Sequence, residues 1–224
     1  MRKNLFNLLE FSFLGKTLKH FIKICGITSV EDAEGVHLAG ADAIGLMMYK
    51  NSPRSLEMDK AKEIYDAINK KLQVVLVFVD QAEDYVGECL ELMPNTVSQF
   101  HGSETPTYCK SFKHDFVKAI NVKEEFNLEE AYEEFLGVKI LLLDSFNADK
   151  FGGTGTTFNW ELIKNSQKLP FILAGGLNPD NIELALSKVS CTGVDTSSGV
   201  ESHSRKKDLH EVERFIKKVR EAHD

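Results

Sequence analysis

The run Leu141-Leu142-Leu143-Asp144 ends in a carboxylate, and Gly152-Gly153-Thr154-Gly155 follows a few residues later. In a parallel α/β fold, ligands and reacting groups collect at the C-terminal ends of the strands. Asp144 therefore stands where an acid or a base is useful. Cys25 closes another apolar run, Phe21–Cys25, ahead of Gly26 and a helix start over Thr28–Asp32. A buried cysteine is usually an inert small hydrophobe. At a strand end, beside a helix N-terminus that favours thiolate, it reads instead as a functional thiol. Cys25 and Asp144 are expected to face one another across one cavity.

Two further motifs suit an anion. Ile172-Leu-Ala-Gly175-Gly176-Leu-Asn-Pro leads from a strand through a glycine pair into a helix start, and Gly193-Val-Asp195-Thr-Ser197-Ser198-Gly199 does the same later. Glycines let the backbone approach a ligand and turn N–H groups toward it. A short helix beginning near Ser197 would add N–H groups and the positive end of its dipole. Gly175, Gly176, Ser197 and Ser198 are thus read as a phosphate site. Arg54 follows Pro53 in the loop after the second strand. A proline-restrained guanidinium fork is suited to a carboxylate, so the expected ligand carries phosphate at one end and carboxylate at the other.

The elements that must position these groups alternate along the chain. Strands are expected at Phe21–Cys25, Ala43–Met47, Val74–Val79, Thr96–Gln99, Phe116–Ile120, Lys139–Leu143, Phe171–Ala174 and Gly193–Asp195. Helical periodicity fills the gaps, clearest at Met58–Asn69, Ala82–Leu92, Asn181–Lys188 and Lys207–Ala222. Eight such units predict an α/β fold, a single (β/α)8 TIM barrel spanning residues 20–224. An open doubly wound sheet is the alternative. It would show a glycine-rich phosphate turn after its first strand, where this chain has only Cys25-Gly26-Ile27-Thr28. Residues 1–19 form an N-terminal extension. There Leu5, Leu8, Leu9 and Phe13 fall at helical spacing, and Glu10 interrupts any resemblance to a secretory signal.

Bulk composition excludes several classes. A chain of 224 residues, 42% hydrophobic, can bury one full core. Its net charge of −7 and the lack of a basic stripe argue against nucleic-acid binding. No segment reaches the apolar length of a membrane span. Cys25, Cys89, Cys109 and Cys191 show no Cys-x-x-Cys pair and no metal spacing with histidine, so neither zinc nor a disulfide framework is expected. Reduced thiols suit a cytoplasmic protein. No cofactor is expected, and the partner is a phosphorylated small molecule; the chain would act as a monomer or a homodimer.

The motifs Lys23-Ile-Cys25-Gly-Ile-Thr, Gly40-Ala-Asp-Ala-Ile-Gly45, Ser52-Pro-Arg54, Gln99-Phe-His101-Gly102, Leu142-Leu-Asp144-Ser, Gly152-Gly-Thr-Gly155, Ala174-Gly-Gly-Leu-Asn-Pro and Gly193-Val-Asp195-Thr-Ser-Ser-Gly-Val-Glu201 resemble those of the phosphoribosylanthranilate isomerases. The similarity runs from about residue 21 to the C-terminus. It implies an Amadori rearrangement in tryptophan biosynthesis, in which Asp144 protonates the ribose ring oxygen and Cys25 removes the proton from C2. Arg54 would hold the anthranilate carboxylate and the two late loops the phosphate; His101 and Asp195 match positions near the substrate. An active form with thiolate Cys25 and protonated Asp144 implies a bell-shaped pH profile whose limbs belong to the pair. The chain departs from the family pattern at Thr156, in place of lysine, and at Asn159, in place of aspartate. Two rivals stand beside this reading. One is another isomerase or lyase among the phosphate-binding barrels, and the other is a catalytically silent barrel that only binds.

Overall fold

Alternation along the first strand sets the pattern of the molecule. In Phe21–Cys25 (β1), Ile22 and Ile24 join the main hydrophobic cluster, whereas Phe21 and Cys25 belong to a second, separate one. The computed structural model describes residues 12–13, 16–17, 20–123, 126–145, 160, 162–163 and 169–222. Seven strands follow β1: Ala43–Met47 (β2), Gln73–Phe78 (β3), Val97–Phe100 (β4), Phe116–Val122 (β5), Ile140–Ser145 (β6), Phe171–Leu173 (β7) and Gly193–Thr196 (β8). Each pairs in parallel with its neighbours, and β8 returns to pair with β1. The result is the closed eight-stranded barrel expected from the sequence, with no open sheet edge.

The second cluster is the filling of this barrel. It holds Phe21, Ala43, Val75, Val97, Val117, Ile140, Leu142 and Ile172 among others, contributed by successive strands. The larger cluster lies between the strands and their surrounding helices: Val30–Leu38 (α1), Met58–Ile68 (α2), Glu83–Leu92 (α3), Pro106–Ser111 (α4), Leu128–Glu134 (α5), Ile182–Lys188 (α6) and Leu209–Glu221 (α7). Helix starts follow the residue chemistry. Ser29 accepts a hydrogen bond from the Asp32 amide at 3.1 Å, and Asp208 accepts from those of His210 and Glu211. On α7 the buried Val212, Phe215, Ile216 and Val219 form one helical stripe.

The strands lie within one or two residues of expectation. The last helix starts later, at Leu209, because Lys206–Lys207 pairs antiparallel with Glu201–His203. Most of the helix expected in the extension lies outside the described residues; its described end, Ser12–Phe13, pairs antiparallel with Lys16–Thr17. Among the described residues no helix is long and apolar enough to cross a membrane.

A buried ion pair outside the barrel fixes the loops at its C-terminal end. Lys118 on β5 points away from the interior that takes Val117 and Ala119. Its Nζ donates to Glu104 Oε2 at 2.8 Å and to the Gly102 carbonyl at 2.7 Å. Glu104 in turn accepts from the backbone N–H groups of Asp80 and Gly102. Two successive loops and strand β5 are tied by one carboxylate. Lys118→Met strands that carboxylate without its cation and is expected to cost about 3–5 kcal/mol in chemical denaturation. Adding Glu104→Gln should recover much of the loss, and an unchanged midpoint for Lys118→Met would contradict the assignment.

Candidate active site

Inward-facing residues near the C-terminal ends of the strands enclose a cavity of about 660 Å³. Phase along each strand explains who lines it. Phe21, Lys23 and Cys25 share a face of β1, as do Ile140, Leu142 and Asp144 on β6, and Gly193 and Asp195 on β8. Val97 and Gln99 continue in phase to His101 just beyond β4. Arg54 comes from the loop after β2, Gly175 and Gly176 from the turn after β7, and Ser197 and Ser198 from that after β8. Cys25, Arg54, His101, Asp144, Gly175, Gly176, Asp195, Ser197 and Ser198 all border this cavity.

Cys25 sits at the wall because its neighbour across the sheet is Gly45. A Cβ on that glycine would lie 2.6 Å from the Cys25 sulfur, inside van der Waals contact. Gly175 and Gly176 take φ of 87° and 68°, a left-handed pair that side chains would strain. The helix expected near Ser197 is a single 3₁₀ turn, Ser198–Val200. Its dipole is short, so the loop offers mainly backbone N–H groups and hydroxyls.

The polar groups form linked sets. Lys23 Nζ donates to Asp195 Oδ2 at 2.6 Å, both side chains nearly sealed from water. The other Asp195 oxygen is buried with no hydrogen-bond partner among the described residues. Burial raises the Asp195 carboxyl above its ordinary value although Lys23 pulls against it. Burial likewise pushes the Cys25 thiol up, with Lys23 and Lys207 opposing and Asp195 assisting. The expectation that a helix start favours thiolate is therefore corrected. Helix α1 begins only at Val30, and desolvation outweighs the cations at Cys25. Cys89, Cys109 and Cys191 are buried as well, with thiols raised to about 11, 11 and 12 by burial.

A second set surrounds Asp144. His101 Nε2 lies 3.0 Å from Asp144 Oδ2, and Gln99 Nε2 lies 2.9 Å from His101 Nδ1. With the Gln99 amide N–H turned to Nδ1, that nitrogen is the acceptor and a neutral ring carries its proton on Nε2, toward Asp144.

The third set holds Arg54. Its Nε and Nη2 donate to the two oxygens of Glu201 at 2.7 and 2.6 Å. Lys207, wholly buried, donates to Glu201 Oε1 at 2.8 Å and to the Ser197 carbonyl at 2.9 Å. Burial alone would raise the Glu201 carboxyl, but Arg54 and Lys207 together hold it below its ordinary value. The orientation of Arg54 thus comes from a bidentate carboxylate, with Pro53 a lesser restraint. The same lysine ties the arginine's support to the Ser197 loop.

This arrangement meets known proteins at every level. The model of the N-(5'phosphoribosyl)anthranilate (PRA) isomerase family matches residues 22–218. The chain belongs to this family. It is 39% identical over 200 residues to the N-(5'-phosphoribosyl)anthranilate isomerase of Pseudomonas putida strain GB-1, covering 89% of this chain and 97% of that protein. It is 40% identical over 195 residues to that of Cellvibrio japonicus, covering 87% and 91%. Among solved structures, phosphoribosyl anthranilate isomerase from Thermotoga maritima superposes with a TM-score of 0.80 at 33% identity, covering 89% of this chain and 98% of that one. A family structure in complex with reduced 1-(o-carboxyphenylamino)-1-deoxyribulose 5-phosphate gives 0.76 at 32% identity, covering 89% and 97%.

Lys23, Gln99, Glu201 and Lys207 were not assigned roles from the sequence. Strand phase was the available signal for the first two, since each stands two residues before Cys25 or His101. Glu201 and Lys207 meet Arg54 only through the closed barrel, and no local pattern announces that contact. The glycine loop at 152–155, Thr156 and Asn159 lie outside the described residues. The Gln99–His101 geometry makes a spectroscopic prediction. Nitrogen-15 NMR of the ligand-free protein should show neutral His101 protonated at Nε2 and bare at Nδ1. The opposite tautomer would mean that the Gln99 amide faces the other way.

Proposed function

We propose that this chain isomerises N-(5-phosphoribosyl)anthranilate to 1-(o-carboxyphenylamino)-1-deoxyribulose 5-phosphate, without a cofactor, as a step of tryptophan biosynthesis in the cytoplasm. The single observation that carries this reading is one cavity bordered by a thiol, a carboxyl group, a guanidinium and two glycine- or serine-bearing turns, in a member of the isomerase family. Residues 20–224 form the catalytic domain, and 1–19 stand apart as an extension. The chain acts as a monomer or a homodimer; a Thermotoga maritima relative is described as dimeric.

Asp144 gives its proton to the ring oxygen of the ribose, and the C1–O bond breaks as the aniline nitrogen forms an iminium with C1. The proton on C2 is now acidic, so a modest base suffices. Cys25 as thiolate takes it, and the electron pair of the C2–H bond becomes the C1–C2 double bond of an enolamine while nitrogen regains its lone pair. Protonation at C1 and loss of the hydroxyl proton on C2 give the ketone. His101, held by Gln99, orients Asp144 for the first step, and Asp195 offers its second oxygen to a substrate hydroxyl. Arg54 receives the anthranilate carboxylate on the guanidinium edge that Glu201 does not occupy. Gly175, Gly176, Ser197 and Ser198 receive the phosphate through backbone N–H groups and hydroxyls, which suits a dianion in a protein of charge −7.

Each of Cys25→Ala and Asp144→Ala is expected to lower kcat by about 10²–10⁴-fold in a fluorescence turnover assay while leaving inorganic phosphate affinity unchanged. Arg54→Leu removes charge-assisted bonds of about 1.5–3 kcal/mol, so KM should rise roughly tenfold or more. If both alanine variants keep full turnover, the proposed pair is wrong. A barrel that only binds would show no turnover with the native protein.

The pH profile follows from the single proton the pair must share. Above the Cys25 titration the pair no longer holds the proton it must pass to the sugar. Burial raises that thiol, so the alkaline limb of kcat/KM should fall above about 8.5, the ordinary cysteine value. An alkaline limb near neutrality would contradict it.

A further inference from the structure

The interior of the barrel is filled mainly with Phe, Val, Ile, Leu and Ala, and Lys23, Gln99 and Asp195 are buried among the polar groups that face it. Lys23 is among the largest side chains wholly removed from water, on the same face of β1 as Cys25 and two residues below it. Its cross-strand neighbour in the β1–β8 register is Asp195, which accepts a hydrogen bond from its Nζ at 2.6 Å. Burying two charges costs several kcal/mol per ion before their attraction is counted, and hydrocarbon of similar volume is often as stable or more so. Packing alone therefore gives no reason for an ion pair at this depth. Its place directly beneath the cavity wall does.

We propose that Lys23 is the positioning residue of Cys25: its ammonium, oriented by Asp195, stabilises negative charge on the sulfur and so maintains the working fraction of thiolate. This inference rests on the reading of Cys25 as the base that takes the C2 proton. The charged groups acting on the sulfur come from four elements: Lys23 on β1, Asp195 on β8, Lys207 on the hairpin after it, and Arg54 on the loop after β2. Lys23 shares the inner face of β1 with Cys25, two residues away, and its charge opposes the burial that raises the thiol, whereas Asp195 assists that burial. Lys207 is already committed to Glu201 and to the Ser197 carbonyl, which leaves Lys23 as the cation on the base's own strand.

The test reads the thiol and not the reaction. Ligand-free protein is alkylated with iodoacetamide across pH, and the modification of Cys25 is followed by peptide mass spectrometry, which separates it from the other three thiols. In Lys23→Met/Asp195→Asn, which keeps the volume and removes both charges, the midpoint of the alkylation profile should move up by about one pH unit. The rate at pH 7 should then fall roughly tenfold, because only the thiolate reacts. The limiting rate at high pH should stay the same, which a merely structural role would not preserve. Lys23→Met alone removes the cation and leaves the opposing carboxylate, so its midpoint should rise as well. An unmoved midpoint in either variant overturns the proposal. Turnover at pH 7 should fall with the thiolate in the double variant. If alkylation shifts as expected while Cys25→Ala retains full turnover, the assignment of the base fails and the coupling of Lys23 to the sulfur survives.

Discussion

A strand in a closed parallel barrel has two faces, and a residue on the inner face is in phase with every second neighbour. That constraint organises everything chemical in this molecule. It places Lys23 with Cys25, Gln99 with His101, and Asp144 above Leu142 and Ile140, all turned toward a common axis. Closure between β8 and β1 then brings Asp195, late in the chain, to Lys23 near its start. Groups separated by more than a hundred residues become neighbours without any loop having to deliver them. Gly45 completes the arrangement by leaving room for the sulfur where any side chain would collide with it.

Charge in the site follows a consistent scheme. The protein is acidic overall, yet the groups around its cavity compensate locally. Each buried acid there has a basic or hydrogen-bonding partner: Asp195 with Lys23, Asp144 with His101, Glu201 with Arg54 and Lys207. Partners outside the reacting pair do the orienting. Glu201 aims a guanidinium, Gln99 selects the ring nitrogen that carries a proton, and Lys207 links the arginine's support to the turn after β8. The reactive atoms are thereby held by rigid elements rather than by flexible surface loops, as a site with fixed geometry requires.

Much of this was legible in the sequence because strands and their turns are local. Apolar runs ending in Cys25, Asp144 or a glycine pair identified eight units and the end at which ligands bind. What escaped was of two kinds. Lys23 and Gln99 lay in plain view, but a polar residue inside an apolar strand gains meaning only when the strand's phase is followed through to its end. Glu201 and Lys207 carry no such signal, since their contact with Arg54 exists only once the last strand has closed on the first. The electrostatic state of Cys25 was misjudged for the same reason. The nearby helix start is visible in the sequence, whereas the depth of burial around the sulfur is a property of the whole barrel.

The account stands or falls on where two atoms sit relative to one bound sugar. The direct measurement is a crystal structure of this chain with reduced 1-(o-carboxyphenylamino)-1-deoxyribulose 5-phosphate. The account predicts the Cys25 sulfur and the Asp144 carboxyl on opposite sides of the sugar chain, the phosphate against the turns after β7 and β8, and the ligand carboxylate on Arg54. A ligand seated with its sugar away from either Cys25 or Asp144 would contradict it.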